Sequence, residues 1–145
     1  MGVKMNPLED WQNDLAKHAR LVMEKAYAPY SRFQVGAALL SQCGTIVTGC
    51  NVENCSYGLT ICAERNAATS AVTQGLMRWK AIAIATVGGV APCGACRQFL
   101  AEFAPDMLVI LIDASNKTAP TIMSLAELLP YSFSPAKLND YRSQP

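Results

Sequence analysis

The sequence predicts an α/β domain in which helices cover both faces of a five-stranded mixed sheet, a three-layer α/β/α arrangement. Apolar residues near the start recur at every third or fourth position, as on the buried stripe of a helix. Two continuous apolar segments, 79–87 and 107–113, are typical of strands buried on both faces. A helical segment lies between them, and a strand–helix–strand unit places its two strands parallel with a right-handed crossover.

The first helix is predicted from a capping pattern followed by an apolar stripe. Asn6 is the expected cap, Pro7 is the expected first helical residue, and Glu9 stands three residues after the cap. The stripe continues to Ala26, and Pro29 then ends the helix.

A hairpin and a second helix follow. Residues 33–40 and 45–50 predict antiparallel strands joined by a tight turn. A polar loop over 51–61 separates this hairpin from an alanine-rich helix over 62–74, which Gly75 is well placed to terminate.

The second half of the chain predicts the strand–helix–strand unit and a short C-terminal region. Pro92 suits the first turn of the helix between the two buried strands, which we place at about 93–103. A turn after the second strand leads into a short edge strand ending near Met123. Two short helices are predicted over 124–129 and 135–141.

Composition narrows the classes of function. The 145 residues are 51% hydrophobic with a formal net charge of +1, so we expect one folded domain over residues 1–145 rather than a disordered chain. The 12 Lys and Arg residues are scattered, which disfavours a nucleic-acid polymer as partner. No apolar stretch reaches the roughly 18 residues of a membrane span, and the start lacks the apolar core of a signal peptide. We therefore expect a cytoplasmic protein without a membrane partner.

The 6 cysteines carry the chemistry of the sequence. The cysteines could form disulfides, a redox dithiol or a metal site. A cytoplasmic location disfavours disulfides. The predicted helices place Cys62 in one first turn and Cys93 with Cys96 in another. Helix N-termini favour thiolates, which zinc binds, and Cys-x2-Cys at a helix start is ordinary zinc geometry. A redox dithiol stays open on these grounds alone.

The residues next to these cysteines match the signature of zinc deaminases. Cys62-Ala63-Glu64 is followed, thirty residues on, by Pro92-Cys93-Gly94-Ala95-Cys96, and in that signature the Glu does not bind the metal. Segments 27–38 and 49–54, with Leu128-Leu129-Pro130 and Phe133, resemble the cytidine deaminase family. The resemblance runs from about residue 10 to about residue 140, and with Cys62 as first ligand it is closest to the small homotetrameric branch.

The resemblance implies hydrolytic deamination of cytidine, and of deoxycytidine, to the uridine product and ammonia in pyrimidine salvage. One zinc ion per chain would be held by Cys62, Cys93 and Cys96. Three protein ligands leave the fourth position of zinc open for water, as in catalytic sites. Glu64 would carry protons from that water to N3 of the pyrimidine and then to the departing amino group. Arg65 would donate to the sulfur atoms and withdraw charge from them, the alternative being a solvated helix residue.

The resemblance also implies how a nucleoside is bound. Asn51 and Glu53 match positions that hydrogen-bond the ribose hydroxyls, Phe33 matches the aromatic ring against the base, and the Ala63 backbone matches the contact to the pyrimidine amide. Without the family, Phe33 reads equally as a core residue, and Asn51 and Glu53 read equally as loop caps.

Neighbouring subunits of a homotetramer would add further contacts. Tyr57 and Phe133 match the loop residue and the C-terminal aromatic residue that one subunit lends to the site of another. The sequence departs from the family at Tyr131-Ser132, where many relatives have Gly-Ala.

Three other functions compete with this interpretation. A deaminase of a related aminopyrimidine, such as blasticidin S, would share the fold and the metal site. A non-catalytic zinc module would need a fourth ligand, for which Cys55 is the candidate, whereas Cys43 and Cys50 suit small apolar positions. A polynucleotide deaminase would need a cationic groove.

Overall fold

The computed structural model describes residues 7–142. The strands are β1 (Gly36–Ser41), β2 (Ile46–Cys50), β3 (Trp79–Thr86), β4 (Leu108–Asp113) and β5 (Thr121–Ser124). The helices are α1 (Asp10–Met23), α2 (Ala63–Thr73), α3 (Gly94–Ala101), α4 (Leu125–Leu128) and α5 (Pro135–Arg142), with a short 3-10 helix at Tyr57–Leu59. None of these helices is long and apolar enough to cross a membrane.

The strands form one mixed sheet in the order β2-β1-β3-β4-β5. β3 and β4 are parallel, with Ile84 opposite Leu111, and α3 makes the crossover between them. The other neighbouring pairs are antiparallel. The five-stranded mixed sheet is therefore confirmed, and so is the parallel pair that the two apolar segments predict.

Helices cover both faces of this sheet. α1 packs Leu15 and Ala19 against one face, where the alternate residues of β1, β3 and β4 meet it. α2 and α3 pack Ala67 and Leu100 against the other face. Because β3 and β4 are buried on both faces, they read in the sequence as continuous apolar segments rather than alternating ones.

The start of α1 differs from the prediction. Asn6, the expected cap, lies outside the described residues, and the helix begins at Asp10 rather than at Pro7. The Glu9 N–H donates to Gln12 Oε1 at 2.9 Å, so Glu9 and Gln12 provide the N-terminal hydrogen bond that we expected three residues earlier.

β1 begins later than predicted. It starts at Gly36, and Phe33 to Val35 lie outside the sheet. The Asn51 side chain bonds this segment instead, accepting from the Val35 N–H and donating to the Phe33 carbonyl, both at 2.8 Å. α1 ends at Met23, three residues before the end of its predicted stripe at Ala26, and the Tyr27 N–H donates to the Asn51 carbonyl instead of continuing the helix. The remaining helix and strand ends agree with the predictions to within two residues.

Candidate metal centre and active site

Three cysteine thiols meet where α2 and α3 begin. Cys62 is the N-cap residue of α2, Cys93 is the N-cap residue of α3, and Cys96 lies in the first turn of α3. Their sulfur atoms all lie within 4.8 Å of one another. Both helix N-termini place partial positive charge beside these sulfur atoms.

The spacing of the sulfur atoms fits zinc. Tetrahedral zinc with Zn–S bonds of about 2.3 Å separates two sulfur ligands by about 3.8 Å. The Sγ atoms of Cys62 and Cys93 are 3.9 Å apart. Among the residues that the structure describes, the cluster contains these three donors and does not include Cys55. A zinc ion held by these three sulfur atoms alone would have one coordination position for a molecule from solvent, as catalytic zinc sites do.

Hydrogen bonds stabilise negative charge at Cys62. The bond from the Cys96 thiol, followed by the bond from Arg65, lowers the pKa of Cys62 to about 5. The same bond to Cys62, together with burial, raises the pKa of Cys96. Arg65 Nη2 donates to Cys62 Sγ at 3.6 Å, while its buried Nε has no partner within residues 7–142. This is the geometry of a group that withdraws charge from a metal-binding sulfur atom.

Glu64 lies in the first turn of α2, next to the cysteine cluster. Its side chain is 5% exposed, and burial raises the pKa of its carboxyl group, with the negative charge of Cys62 acting in the same direction. A carboxyl group in such surroundings takes up and releases a proton more readily near neutral pH than an exposed one does.

A cavity of about 320 Å³ connects Glu64 with most of the predicted binding residues. Its lining includes Cys62, Glu64 and Cys93 together with Phe33, Asn51, Glu53 and Ala63. The structure therefore brings four of the six predicted substrate-binding residues to the cysteine cluster. Ile84 and Val90 make part of its wall apolar, as expected for a site that holds a planar ring.

Asn51 and Glu53 are buried polar residues that also organise the cavity wall. The Glu53 carboxylate accepts from the backbone N–H of Tyr30 at 2.9 Å and from the hydroxyl of Ser31. These bonds, that from the Ser31 hydroxyl first, lower the pKa of Glu53 and keep it ionised. Both residues thus bond a loop and also line the cavity, and their role in binding ribose stays a prediction.

Tyr57 and Phe133 lie outside this cavity. Tyr57 borders an adjoining cavity of about 280 Å³, shared with Tyr30, Ser31, Glu53 and Thr60. Its ring packs edge to face on Tyr30, with centroids 5.7 Å apart. Phe133, between α4 and α5, is 61% exposed and is not among the lining residues within the described chain. A single chain therefore does not bring either ring to the cysteine cluster.

Two residues at the site were not singled out from the sequence. Thr86, at the end of β3, lines the cavity and accepts a hydrogen bond from the Val90 N–H at 2.7 Å. Arg97 donates from Nε to the carbonyl of Pro92, the residue before Cys93, at 2.7 Å. Arg97 follows Cys96 directly, which is the one local signal that marks it in the sequence.

Known proteins share this sequence pattern. The family model for the cytidine and deoxycytidylate deaminase zinc-binding region matches residues 9–112. The cytidine deaminase of Sporosarcina psychrophila is 46% identical over 128 residues, which cover 86% of this chain and 93% of that protein. A probable cytidine deaminase of Dictyostelium discoideum is 50% identical over 112 residues, covering 75% of this chain and 74% of that protein.

Solved structures share the fold as well. The crystal structure of cytidine deaminase from Burkholderia pseudomallei matches with a TM-score of 0.79 at 44% identity, over 83% of this chain and 98% of that chain. The crystal structure of cytidine deaminase from Mycobacterium tuberculosis matches with a TM-score of 0.72 at 43% identity, over 87% of this chain and 98% of that chain.

Proposed function

The chain belongs to the cytidine and deoxycytidylate deaminase family, and from this premise we propose that it catalyses the zinc-dependent conversion of cytidine and water to uridine and ammonia. The observation that carries the proposal is the cluster of Cys62, Cys93 and Cys96 near the buried carboxyl group of Glu64, with three sulfur donors and no fourth among the described residues. A structural zinc site would be closed by a fourth protein ligand.

In this proposal the three thiolates hold one zinc ion per chain, and Glu64 moves the protons. A zinc ion with an open position supplies a water whose pKa falls from 15.7 to about 7. Glu64 accepts a proton from the attacking water at its carboxylate and delivers it to N3 of the pyrimidine while the water oxygen bonds to C4. Glu64 then carries the second proton of that water to the amino group, which leaves as ammonia when the C4–N bond breaks. Arg65 and the N-termini of α2 and α3 offset the charge of about −1 that three thiolates leave on the metal centre.

The cavity lining supports a nucleoside as the substrate. Phe33 would lie against the base, the Ala63 backbone would bond the pyrimidine amide, and Asn51 with Glu53 would hold the ribose hydroxyls. An ionised Glu53 repels a 5′-phosphate in the same place, so a free nucleoside suits this grip better than a nucleotide. The proposal includes deoxycytidine, because no residue of the proposed grip requires a 2′-hydroxyl.

We extend the proposal to assembly and cellular role. A homotetramer of one-domain chains, each spanning residues 1–145, would bring Tyr57 and Phe133 to the sites of neighbouring subunits. The exposure of both rings supports this arrangement. The enzyme would act in the cytoplasm, in pyrimidine salvage, on a small-molecule substrate rather than on a nucleic-acid polymer or at a membrane.

One paired measurement tests the proposed function. Purified protein is mixed with cytidine while the ultraviolet absorbance change of deamination is followed, and zinc per chain is determined on the same sample. We expect turnover, one zinc per chain and rates insensitive to moderate salt. Zinc without turnover of cytidine or deoxycytidine contradicts the proposal and favours a non-catalytic module or a related aminopyrimidine such as blasticidin S. Strong inhibition by salt on oligonucleotides would favour a polynucleotide deaminase.

A further inference from the structure

Two side chains of α3, the helix at whose start Cys93 and Cys96 lie, bond the segment between β5 and α5. Arg97 Nη1 donates to the carbonyl of Leu128 at 2.7 Å, while its Nε donates to the carbonyl of Pro92 at 2.7 Å. The next residue, Gln98, donates from Nε2 to the carbonyl of Phe133 at 3.0 Å. We call residues 125–133, which precede α5, the C-terminal segment, and residues 92–96, which run into the first turn of α3, the cysteine loop.

Both carbonyls bound by Arg97 lie at points where the backbone has no regular partner. Pro92 is buried, and its carbonyl precedes the N-cap residue Cys93, outside the helical hydrogen bonds of α3. Leu128 ends the single turn of α4, where helical carbonyls lack intrahelical donors. The rigid fork of a guanidinium group can satisfy two carbonyls in a fixed relative position, which the single ammonium group of lysine cannot do in the same geometry.

We propose that Arg97 is a positioning residue that joins the cysteine loop to the C-terminal segment, so that the placement of Cys93 and the placement of Phe133 depend on each other. The consequence for substrate binding rests on the proposed function, in which Phe133 contacts the nucleoside. The coupling itself does not rest on the proposed function, because it involves only the cysteine loop, the C-terminal segment and the metal. Metal binding and ordering of the C-terminal segment are the two coupled events, and coupling is reciprocal. Metal binding therefore stabilises the ordered segment by the same free energy by which the ordered segment strengthens metal binding.

A simpler role for Arg97 would be to place a positive charge near the thiolates. Two variants separate these roles. Arg97→Met removes both the charge and the fork, whereas Arg97→Lys keeps the charge and removes the fork. If Arg97 acts through its two hydrogen bonds, both variants lose the coupling between the cysteine loop and the C-terminal segment. If Arg97 acts only through its charge, Arg97→Lys keeps that coupling.

Arg20→Met is the matched control. Arg20 also uses its guanidinium group for two hydrogen bonds, to the Asp113 carbonyl at 3.0 Å and to Asn116 Oδ1 at 2.8 Å. Its removal deletes an equivalent pair of bonds between α1 and the loop after β4. This variant therefore reports what the loss of any bridging arginine does to overall stability.

The test measures hydrogen exchange of peptides covering residues 125–133 with and without zinc, and zinc affinity by chelator competition. In the wild type, we expect zinc removal to speed exchange in the C-terminal segment. In Arg97→Met and Arg97→Lys, we expect exchange about tenfold faster with zinc bound, little further change on zinc removal, and zinc affinity about tenfold weaker. Arg20→Met should match the wild type in both readouts. If Arg97→Met does not fold, Arg97→Gln, which keeps one amide donor, takes its place.

The inference is overturned if the Arg97 variants match Arg20→Met, or if Arg97→Lys keeps wild-type exchange and zinc affinity. Where cytidine is turned over, we also expect the Arg97 variants to raise KM more than they lower kcat. If the protein does not deaminate cytidine, only this kinetic comparison is lost, and the exchange and zinc-affinity measurements still test the coupling. Failure of the proposed function and failure of the coupling are therefore distinguishable.

Discussion

The backbones of Gly49 and Ala63 approach so closely that a Cβ atom on Gly49 would lie 2.6 Å from the Ala63 carbonyl oxygen. The same atom would lie 2.4 Å from the Ala67 amide nitrogen. Gly49 is in β2 and Ala63 is the first residue of α2, next to Cys62. The absence of a side chain on Gly49 therefore sets how closely the helix that carries Cys62 and Glu64 packs on the sheet.

Gly49→Ala is expected to destabilise the protein by about 3 kcal/mol, because backbone atoms of α2 must shift to admit the methyl group. Urea denaturation of the zinc-loaded protein measures this loss. Gly58→Ala is the control, since a Cβ there meets no atom within 4 Å. Equal stability of the two variants would contradict the close packing of α2 on β2.

Glu64→Gln tests proton transfer without disturbing the metal ligands. The amide keeps the shape of the side chain but cannot accept and release the proton, so we expect kcat to fall by about 10²- to 10⁴-fold or more. Zinc content should stay at that of the wild type, as determined by metal analysis of the same preparations. Wild-type turnover by this variant would remove Glu64 from the mechanism.

Glu53→Gln tests the proposed grip on ribose. The wild type should prefer cytidine over its analogue lacking the 3′-hydroxyl by about tenfold or more, because a hydrogen bond to a charged group is lost. In Glu53→Gln, we expect this preference in kcat/KM to shrink. If the variant slows both substrates by the same factor, Glu53 acts only through its bonds to the loop at Tyr30 and Ser31.

Asp113 provides a test that depends on pH. Its carboxylate accepts from the backbone N–H groups of Gly88, Ser115, Lys117 and Thr118 and from two hydroxyl groups. These bonds, led by that from the Ser115 hydroxyl, hold the pKa of Asp113 well below its usual range. The ionised form is therefore favoured by folding.

For a carboxyl group with a depressed pKa, the contribution to stability is complete above the unfolded-state value of about 3.9 and is lost as pH falls below it. We expect Asp113→Asn to be less stable than the wild type at pH 7, and the difference to shrink below about pH 4. Urea denaturation across this range measures the difference. A gap that stays constant with pH would contradict the role of the charge.

Much of the metal centre could be predicted from the sequence because its signals are local. Cys62 and Cys93 each directly precede a helix whose start is marked by neighbouring residues, and Cys96 follows at the spacing of one helical turn. The β1–β2 and β3–β4 pairings could be predicted for a similar reason, since each is formed by consecutive elements, whereas the β1–β3 pairing that joins them was not predicted.

The features that escaped prediction depend on partners far away in the sequence. The Phe33–Val35 segment has the composition of a strand, but the Asn51 side chain takes the hydrogen bonds that a neighbouring strand would supply. Arg97 contacts Leu128, 31 residues away. No pattern within a single helix or strand reveals either contact.

Tyr131 is a third case. The departure from the family at Tyr131-Ser132 falls on a residue with φ of 56°, in the left-handed region, and its side chain is 99% exposed. Glycine adopts this conformation without strain, whereas a residue with a Cβ atom rarely does, so the conformation fits the glycine that the family resemblance predicts here. The sequence shows that Tyr131 departs from the family pattern, but it does not show that the backbone at this residue is left-handed.

The distance along the chain between Cys62 and Cys93, 31 residues, gives zinc a mechanical role besides its chemical one. An ion bound to both sulfur atoms is a crosslink that closes a loop containing all of α2 and β3. Because folding is what brings these sulfur atoms together, the free energy of zinc binding would add to the stability of the folded chain. Unlike a disulfide, this crosslink forms without an oxidant and a chelator can remove it. The same ion would thus take part in the reaction and act as a reversible crosslink. The free energy of unfolding would then depend on the concentration of free zinc.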